Sequence, residues 1–401
     1  MSSPALGIAG MGIASPIGIG KDAVARALFA GTRGLIPRDD LIPGRTVHVG
    51  EVTGPLPPVP RELQSMECRN GRLMLASVAE ITESVEKAVR RFGRDRIAVV
   101  LGTSTSGIAD GEAAYGAVRQ NGVWPADFDY RQQETGNLGE FVARALGLTG
   151  PAYTVATACS SSGKAFASAR RLMRAGLADA ALVGGADTLC RMTVGGFAAL
   201  EAISDGLCNP FSRNRNGISI GEAAAVFLLT RAPTPIQFLG VGESSDAYHI
   251  SAPDPDARGA LMAMRAALDD AGLAPADIAY INLHGTGTAL NDAMEGKAVH
   301  ALFGSATPCS STKAMTGHTL GAAAACEAAF LWLTLHPEYN TDGHLPPHLW
   351  DGEADPSIPP LALADVRTRL PRDMGRVAML SNSFAFGGSN VALVLAREGA
   401  S

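Results

Sequence analysis

The chain has 401 residues, 46% hydrophobic and 18% charged, enough apolar content for one or two well-buried cores. Its formal net charge of −6 argues against nucleic acid as the main partner. Six cysteines without a CxxC pair, in a chain of this length, point to reduced thiols and a cytoplasmic address, and no apolar run reaches membrane-spanning length without glycine, proline or charge.

The apolar start, residues 6–19, lacks a basic leader and carries Gly7, Gly10, Gly12, Pro16 and Gly18. It reads as a buried strand and turn rather than a signal peptide. Residues 73–76 open a helical stretch that leads to an apolar strand at 97–101 and a Gly/Thr/Ser turn. Extra sequence follows at 104–151, including the polar stretch 130–137, a candidate pocket lid or subunit interface. Strands at 153–156 and 180–183 come next, the first running into Cys159 and a small-residue helix. Two prolines at Pro233 and Pro235 then interrupt regular structure. Beyond them the order repeats: a helical stretch from 261, a strand at 278–283 with a Gly/Thr turn, residues 310–318 running into a small-residue helix, and a strand at 377–380. Short β-branched runs alternating with Ala/Leu-rich segments predict an α/β protein. The matched order of four elements predicts a duplication, with halves 1–232 and 233–401.

Cys159 follows a short strand and precedes Ser160-Ser161-Ser162-Gly163, where a helix begins. A helix N-terminus favours a thiolate, and a sharp strand-to-helix turn would present the sulfur at the top of a sheet. Taken alone, a cysteine among small residues is an apolar filler. His284 ends the strand at 278–283, within His284-Gly-Thr-Gly-Thr288, and strand C-terminal ends are where open α/β sheets gather ligands. Its glycines permit close approach of a substrate, and Thr286 and Thr288 offer hydroxyls. His318 stands five residues after Lys313, ahead of a helix bearing Glu327; a lysine is ordinarily solvated, and the neighbours Thr312, Ala314 and Met315 weigh modestly against that here. The turn Ser381-Asn-Ser-Phe-Ala-Phe-Gly-Gly-Ser-Asn390 follows a strand and can present backbone N–H groups to an oxyanion.

Together these segments resemble one family, the β-ketoacyl-[acyl-carrier-protein] synthases of types I and II in the thiolase-like superfamily. The resemblance rests on Thr157-Ala-Cys-Ser-Ser-Ser162, His284-Gly-Thr-Gly-Thr288, Lys313 with Gly317-His318, Phe384-Ala-Phe-Gly-Gly388, and Pro210-Phe-Ser-Arg213 with Gly217 and Gly221-Glu222. It runs in order along essentially the whole chain. It implies a five-layered αβαβα thiolase-like fold of two pseudo-duplicated halves, the first holding the nucleophilic cysteine and the second the two histidines. The implied reaction moves an acyl group from the phosphopantetheine arm of an acyl carrier protein to Cys159. Malonyl carrier then loses CO₂ and its carbanion attacks the acyl-cysteine. The resemblance makes Cys159, His284, His318 and Lys313 catalytic and gives the oxyanion hole and gate to Cys159, Phe386 and Phe384. It places Thr286, Thr288 and Gly387 on the substrate arm and Glu327 in support. Neutral imidazoles suit His284 and His318, since an added acid would quench the carbanion. It also implies a homodimer, and it calls for neither a metal nor a cofactor, since the substrates ride on the carrier's arm. Arg69 and Arg72 are the expected docking arginines for an acidic carrier.

Ala385 departs from the family's Phe-Gly-Phe-Gly-Gly loop and implies a stiffer gate, because glycine tolerates wider backbone swings. The small polar turn Gly102-Thr-Ser-Thr-Ser-Gly107 lies where the family shapes the far end of the acyl pocket, and resembles synthases of aryl-polyene or polyketide clusters. A non-catalytic chain-length-factor subunit is the alternative, but that type normally lacks the cysteine. A thiolase would need a second catalytic cysteine near the C-terminus, where none stands.

Overall fold

The computed structural model describes residues 4–370 and 375–399. In its first half, the elements that position the site are β1 (Leu6–Ser15), α1 (Arg69–Ala79), β2 (Ile97–Gly102), α2 (Ile108–Asn121), α3 (Asn137–Ala145), β3 (Ala152–Val155), α4 (Ser161–Arg174), β4 (Ala180–Asp187), α5 (Arg191–Ala199) and β5 (Ala223–Thr230). In the second they are β6 (Ile236–Ser245), α6 (Arg258–Ala271), β7 (Ile278–Asn282), α7 (Ala289–Phe303), β8 (Pro308–Ser310), α8 (Ala323–Leu335), β9 (Ala362–Leu363), β10 (Val377–Phe384) and β11 (Ser389–Arg397). The apolar start is the fully paired strand β1, as its glycines and β-branched residues predict.

The strands run in the spatial order β9-β8-β7-β10-β11-β6-β1-β5-β4-β2-β3. With the two-residue edge strand β9 set aside and the others counted within each half, the third strand lies beside the second, then the fourth, the fifth and the first. That order is the same in both halves. So is the pairing: β2 is parallel to β3 and β4, as β7 is to β8 and β10; β9 adds a parallel pair with β8 at the edge, and the other pairs of this order are antiparallel. β1 and β6 join the halves through Leu6 opposite Phe238 and Gly7 opposite Gln237.

Two helices fill the space between the two half-sheets. α4 packs on β2 and β4 on one side and on β6 and β11 on the other, and α8 packs on β1, β5, β10 and β11. α8 is buried along its whole length, so its sequence has no polar face. α1 and α3 cover the outside of the first half-sheet, and α6 covers the second. The layers are therefore αβαβα. The stretch 104–151 is only partly a surface insertion: Phe141 and Val142 of α3 are fully buried in the core of the first half.

Close packing at the middle layer explains several small residues. A side chain on Gly102, at the end of β2, would overlap the backbone of Ser161 and Ser162, and one on Gly163 would strike Val391. The start of α4 can therefore press directly against the ends of β2 and β11. That contact sets the depth of Cys159.

Candidate active site

Between β3 and α4 the backbone turns sharply, with Ala158 at φ +51°, a left-handed conformation that costs a non-glycine residue about 1 kcal/mol or more. The serines that follow hold this turn. Thr157 N–H donates to Ser161 Oγ (2.8 Å), Ser161 Oγ–H to Ala158 O (2.6 Å), and Ser160 Oγ–H to Thr157 O (2.8 Å). Ser160 also reaches Ser389 Oγ at 3.1 Å, fastening the turn to β11.

Cys159 Sγ lies 2.9 Å from His318 Nε2, and the backbone N–H of Phe386 faces the sulfur. The expected thiolate at a helix start is not the resting state. Burial pushes the thiol up to about 12, outweighing the pull of Lys313 and the Phe386 N–H. A neutral thiol in contact with an imidazole is the arrangement that the closed site holds.

His318 is placed by strand-like pairing rather than by a helix. Its N–H donates to Ser219 O (2.7 Å), and Gly221 N–H donates to His318 O (2.9 Å). Gly317, at φ +71°, leaves room for the backbone of Ile220. His284 is placed by two carboxylates of α7, three residues apart on one helix face. Glu295 accepts the N–H groups of His284 and Gly285 at 2.7 Å each, and Asp292 accepts those of Phe211 (2.8 Å) and Gly287 (3.2 Å). The histidine rings meet edge to face, with centroids 5.2 Å apart. Burial first, then the charge of Lys313, holds both well below the usual imidazole range, so both are neutral.

Lys313 is buried, not solvated. Its ammonium lies 3.5 Å from His284 Nδ1, donates to His284 O, and pairs with Glu327. An ammonium beside Nδ1 favours the tautomer carrying hydrogen on Nε2, which leaves that nitrogen free to donate. The donor atoms of Cys159, His284 and His318 all lie within 4.8 Å of one another, a set that could hold a metal ion by distance alone. The Lys313 ammonium opposes a second cation there, whereas it suits an incoming anion.

The loop that resembles the family's gate runs Phe384–Gly388. Ala385 sits at φ −93°, extended backbone that alanine adopts without strain, so the departure from glycine costs nothing in this conformation. Gly387 and Gly388 have φ +79° and +75°, where glycine is required. The Phe384 ring lies 6.2 Å from His284, and Phe386 lies 5.5 Å from Phe197 of α5. A cavity of about 330 Å³ opens here, lined among others by Leu200, Pro253, Thr288, Phe384 and Phe386. Thr286 lies behind Thr288, their hydroxyls 3.1 Å apart.

Three further residues complete the support, of which only Glu222 stands in a segment that carried the resemblance. Asp187, ending β4, accepts from Thr103 Oγ1 (2.7 Å), from Thr105 N and Oγ1 (2.7 Å each), from Ser104 N (2.8 Å) and from Ala322 N (3.2 Å). It ties the turn after β2 to the segment behind His318. A lone carboxylate ending an otherwise apolar strand was the one available signal. Glu222 is buried and accepts Val52 N (2.9 Å) and the Nε–H and Nη2–H of Arg69. Arg69, expected as a docking arginine, is thus paired with a carboxylate of its own chain. Arg72 donates to the carbonyls of Pro57 (3.2 Å) and Leu56 (3.3 Å).

His348 joins the loop at Pro210 to that at Ser311, its Nδ1 accepting Ser311 N–H and its Nε2 donating to Pro210 O, each at 3.0 Å. Burial pulls its imidazole down to about 4. The unfolded chain therefore binds more protons than the folded one below the unperturbed value, and stability is lost as pH falls. At about pH 5 this group alone removes about 2 kcal/mol. Urea melts at about pH 7.5 and pH 5 should show that loss shrinking by a similar amount in His348→Gln.

Sequence profiles of the β-ketoacyl synthase N-terminal and C-terminal domains match residues 57–234 and 237–348. The 3-oxoacyl-[acyl-carrier-protein] synthase 2 of Staphylococcus aureus is 31% identical, over 96% of this chain and 99% of its own. Among solved structures, a chain from a ketosynthase in complex with its chain length factor, from Xenorhabdus doucetiae, is 46% identical with a TM-score of 0.92, covering 99% of this chain and 100% of that one. A chain of the ishigamide ketosynthase/chain length factor is 29% identical with a TM-score of 0.87, with the same coverage.

Proposed function

The chain belongs to the β-ketoacyl synthase family and is an acyltransferase of that type, and from this premise we propose that it joins an acyl group, held on Cys159, to malonyl carrier protein with loss of CO₂. The observation that carries the reading is the convergence of Cys159, His284, and Lys313 with His318, from three separate segments, on one buried point.

The residues divide the work by their chemistry. The acyl thioester carbon is attacked by Cys159 Sγ and the thiol proton ends on the departing pantetheine thiol, while His318 keeps its hydrogen on Nε2 and donates it to the sulfur. The oxyanion formed in that step is held by the N–H groups of Cys159 and Phe386. Malonyl carrier then enters past Thr286, Thr288 and Gly387. Its C–C bond to the carboxylate breaks, CO₂ leaves, and the electron pair forms an enolate whose oxygen accepts from Nε2–H of His284 and His318. The enolate carbon attacks the acyl carbonyl, the Cys159 thiolate leaves, and it regains a proton from solvent once the product has departed. Lys313, neutralised in part by Glu327, fixes His284 and keeps both imidazoles neutral. The steps call on no metal or organic cofactor beyond the carrier's arm.

The test is reconstitution. With acyl and malonyl carriers, the enzyme should form a 3-oxoacyl carrier and release one CO₂ per product; CO₂ without the extended product, or neither, would contradict the assignment.

A second copy of this chain is the expected partner, and β3 ends the sheet with an outer edge that pairs with no strand among the described residues. The likeness to chains of two ketosynthase/chain length factor structures supports pairing with a non-identical subunit as a second reading. Light scattering on the chain expressed alone separates the two. The intact catalytic set makes the non-catalytic role the weaker alternative. Six free cysteines support a cytoplasmic setting, and among the described residues no helix is long and apolar enough to cross a membrane. The polar turn 102–107 supports acyl chains of the aryl-polyene or polyketide kind, tested by offering saturated and polyenoyl carriers side by side. A preference for saturated chains of medium length would remove that reading.

A further inference from the structure

Helix α5 is held loosely for an element beside an active site. Of its nine residues only Val194 is buried, and the pair Gly195-Gly196 lies in its interior. A side chain on either glycine would meet nothing within 4 Å, so packing does not demand them; they weaken the helix relative to alanine. Cys190, at the N-cap, makes no side-chain capping bond. The first turn is instead held from another element. Glu112 of α2 accepts Arg191 N–H at 2.9 Å and Met192 N–H at 2.6 Å, one on each carboxylate oxygen. A carboxylate suits the positive end of a helix.

What α5 carries is directed at the gate. The Phe197 ring packs on that of Phe386, whose backbone N–H faces Cys159 Sγ. Leu200, Glu201 and Ala202, just past its end, line the cavity beside that gate. The chain of contacts runs from Glu112 through α5 and Phe197 to Phe386. We propose that Glu112 is a positioning residue that latches α5, and through Phe197 holds Phe386 where its N–H can serve acyl transfer. It acts on loading of Cys159 and not on malonyl decarboxylation, which uses the histidines.

This rests on the reaction proposed above. Loading is read as the acyl adduct on Cys159 by intact mass in single turnover. Decarboxylation is read as CO₂ release in a Cys159→Gln background. Glu112→Ala is expected to slow loading about tenfold and to leave CO₂ release within about twofold. Glu112→Gln, which keeps one acceptor oxygen, should fall between. Phe197→Ala should reproduce the loading loss, and the double variant should be no slower than Phe197→Ala alone, because both act through one contact. Unchanged loading in Glu112→Ala, equal losses in both readouts, or multiplied losses in the double variant would overturn the latch. If the reaction itself were misassigned, the parent enzyme would load no acyl group, an outcome distinct from all of these.

Discussion

Cys159→Gln is expected to abolish chain extension while CO₂ release from malonyl carrier continues. Extension needs a nucleophile that becomes a leaving group, and an amide side chain is neither; the loss should be about four orders of magnitude or more. Decarboxylation needs only two neutral N–H donors aimed at the developing enolate oxygen. Those donors are held from elsewhere: His284 by Glu295 and Lys313, His318 by Ser219 and Gly221. The glutamine also carries a carbonyl that can face the Phe386 N–H, as an acyl-cysteine would. Carbon dioxide trapped from labelled malonyl carrier reports the step directly. Loss of CO₂ release in step with extension would show that the sulfur takes part in decarboxylation and that the division of labour is wrong.

Lys313→Met carries the second large effect, on stability and on pH dependence together. Lys313 and Glu327 form a buried ion pair. Removing one partner strands the other's charge, which costs about 3–5 kcal/mol. The double change Lys313→Met/Glu327→Met removes both charges and should recover much of that stability. Catalysis should not recover with it. Lys313 is one cause of the depressed histidines, so without it both imidazoles titrate nearer their ordinary range. The acid limb of the decarboxylation profile should then move to higher pH, because protonated histidine appears sooner as pH falls. A double variant with parental stability and a parental pH profile would reduce Lys313 to a structural role.

The groups that converge at the candidate site were legible in the sequence because each sits in a short local signature: a cysteine before three serines, a histidine between a strand and a Gly/Thr turn, a lysine ahead of Gly317-His318. The repeated strand order was legible too, since apolar runs and turns recur in matched order. What holds those groups was not. Asp187, Glu295, Asp292 and Glu112 act by accepting backbone N–H groups, a role that any carboxylate can fill and that leaves no spacing rule. The pairing of Arg69 was illegible for the same reason, since its partner Glu222 is 153 residues away. The state of Cys159 was misjudged because a helix start favours the thiolate while complete burial opposes it, and only packing shows which is larger. Ala385 shows the converse: a departure that implied stiffness proves strain-free in the closed loop, at φ −93°.

If Cys159 carries the growing chain between two substrates, intact-protein mass spectrometry should see it there. Incubation with a mixed pool of acyl carriers should add one acyl mass, mapping to Cys159 and absent in Cys159→Ala. Adding malonyl carrier should discharge that adduct onto a carrier lengthened by two carbons. An adduct on another residue, or one on Cys159 that malonyl carrier does not discharge, would contradict the account.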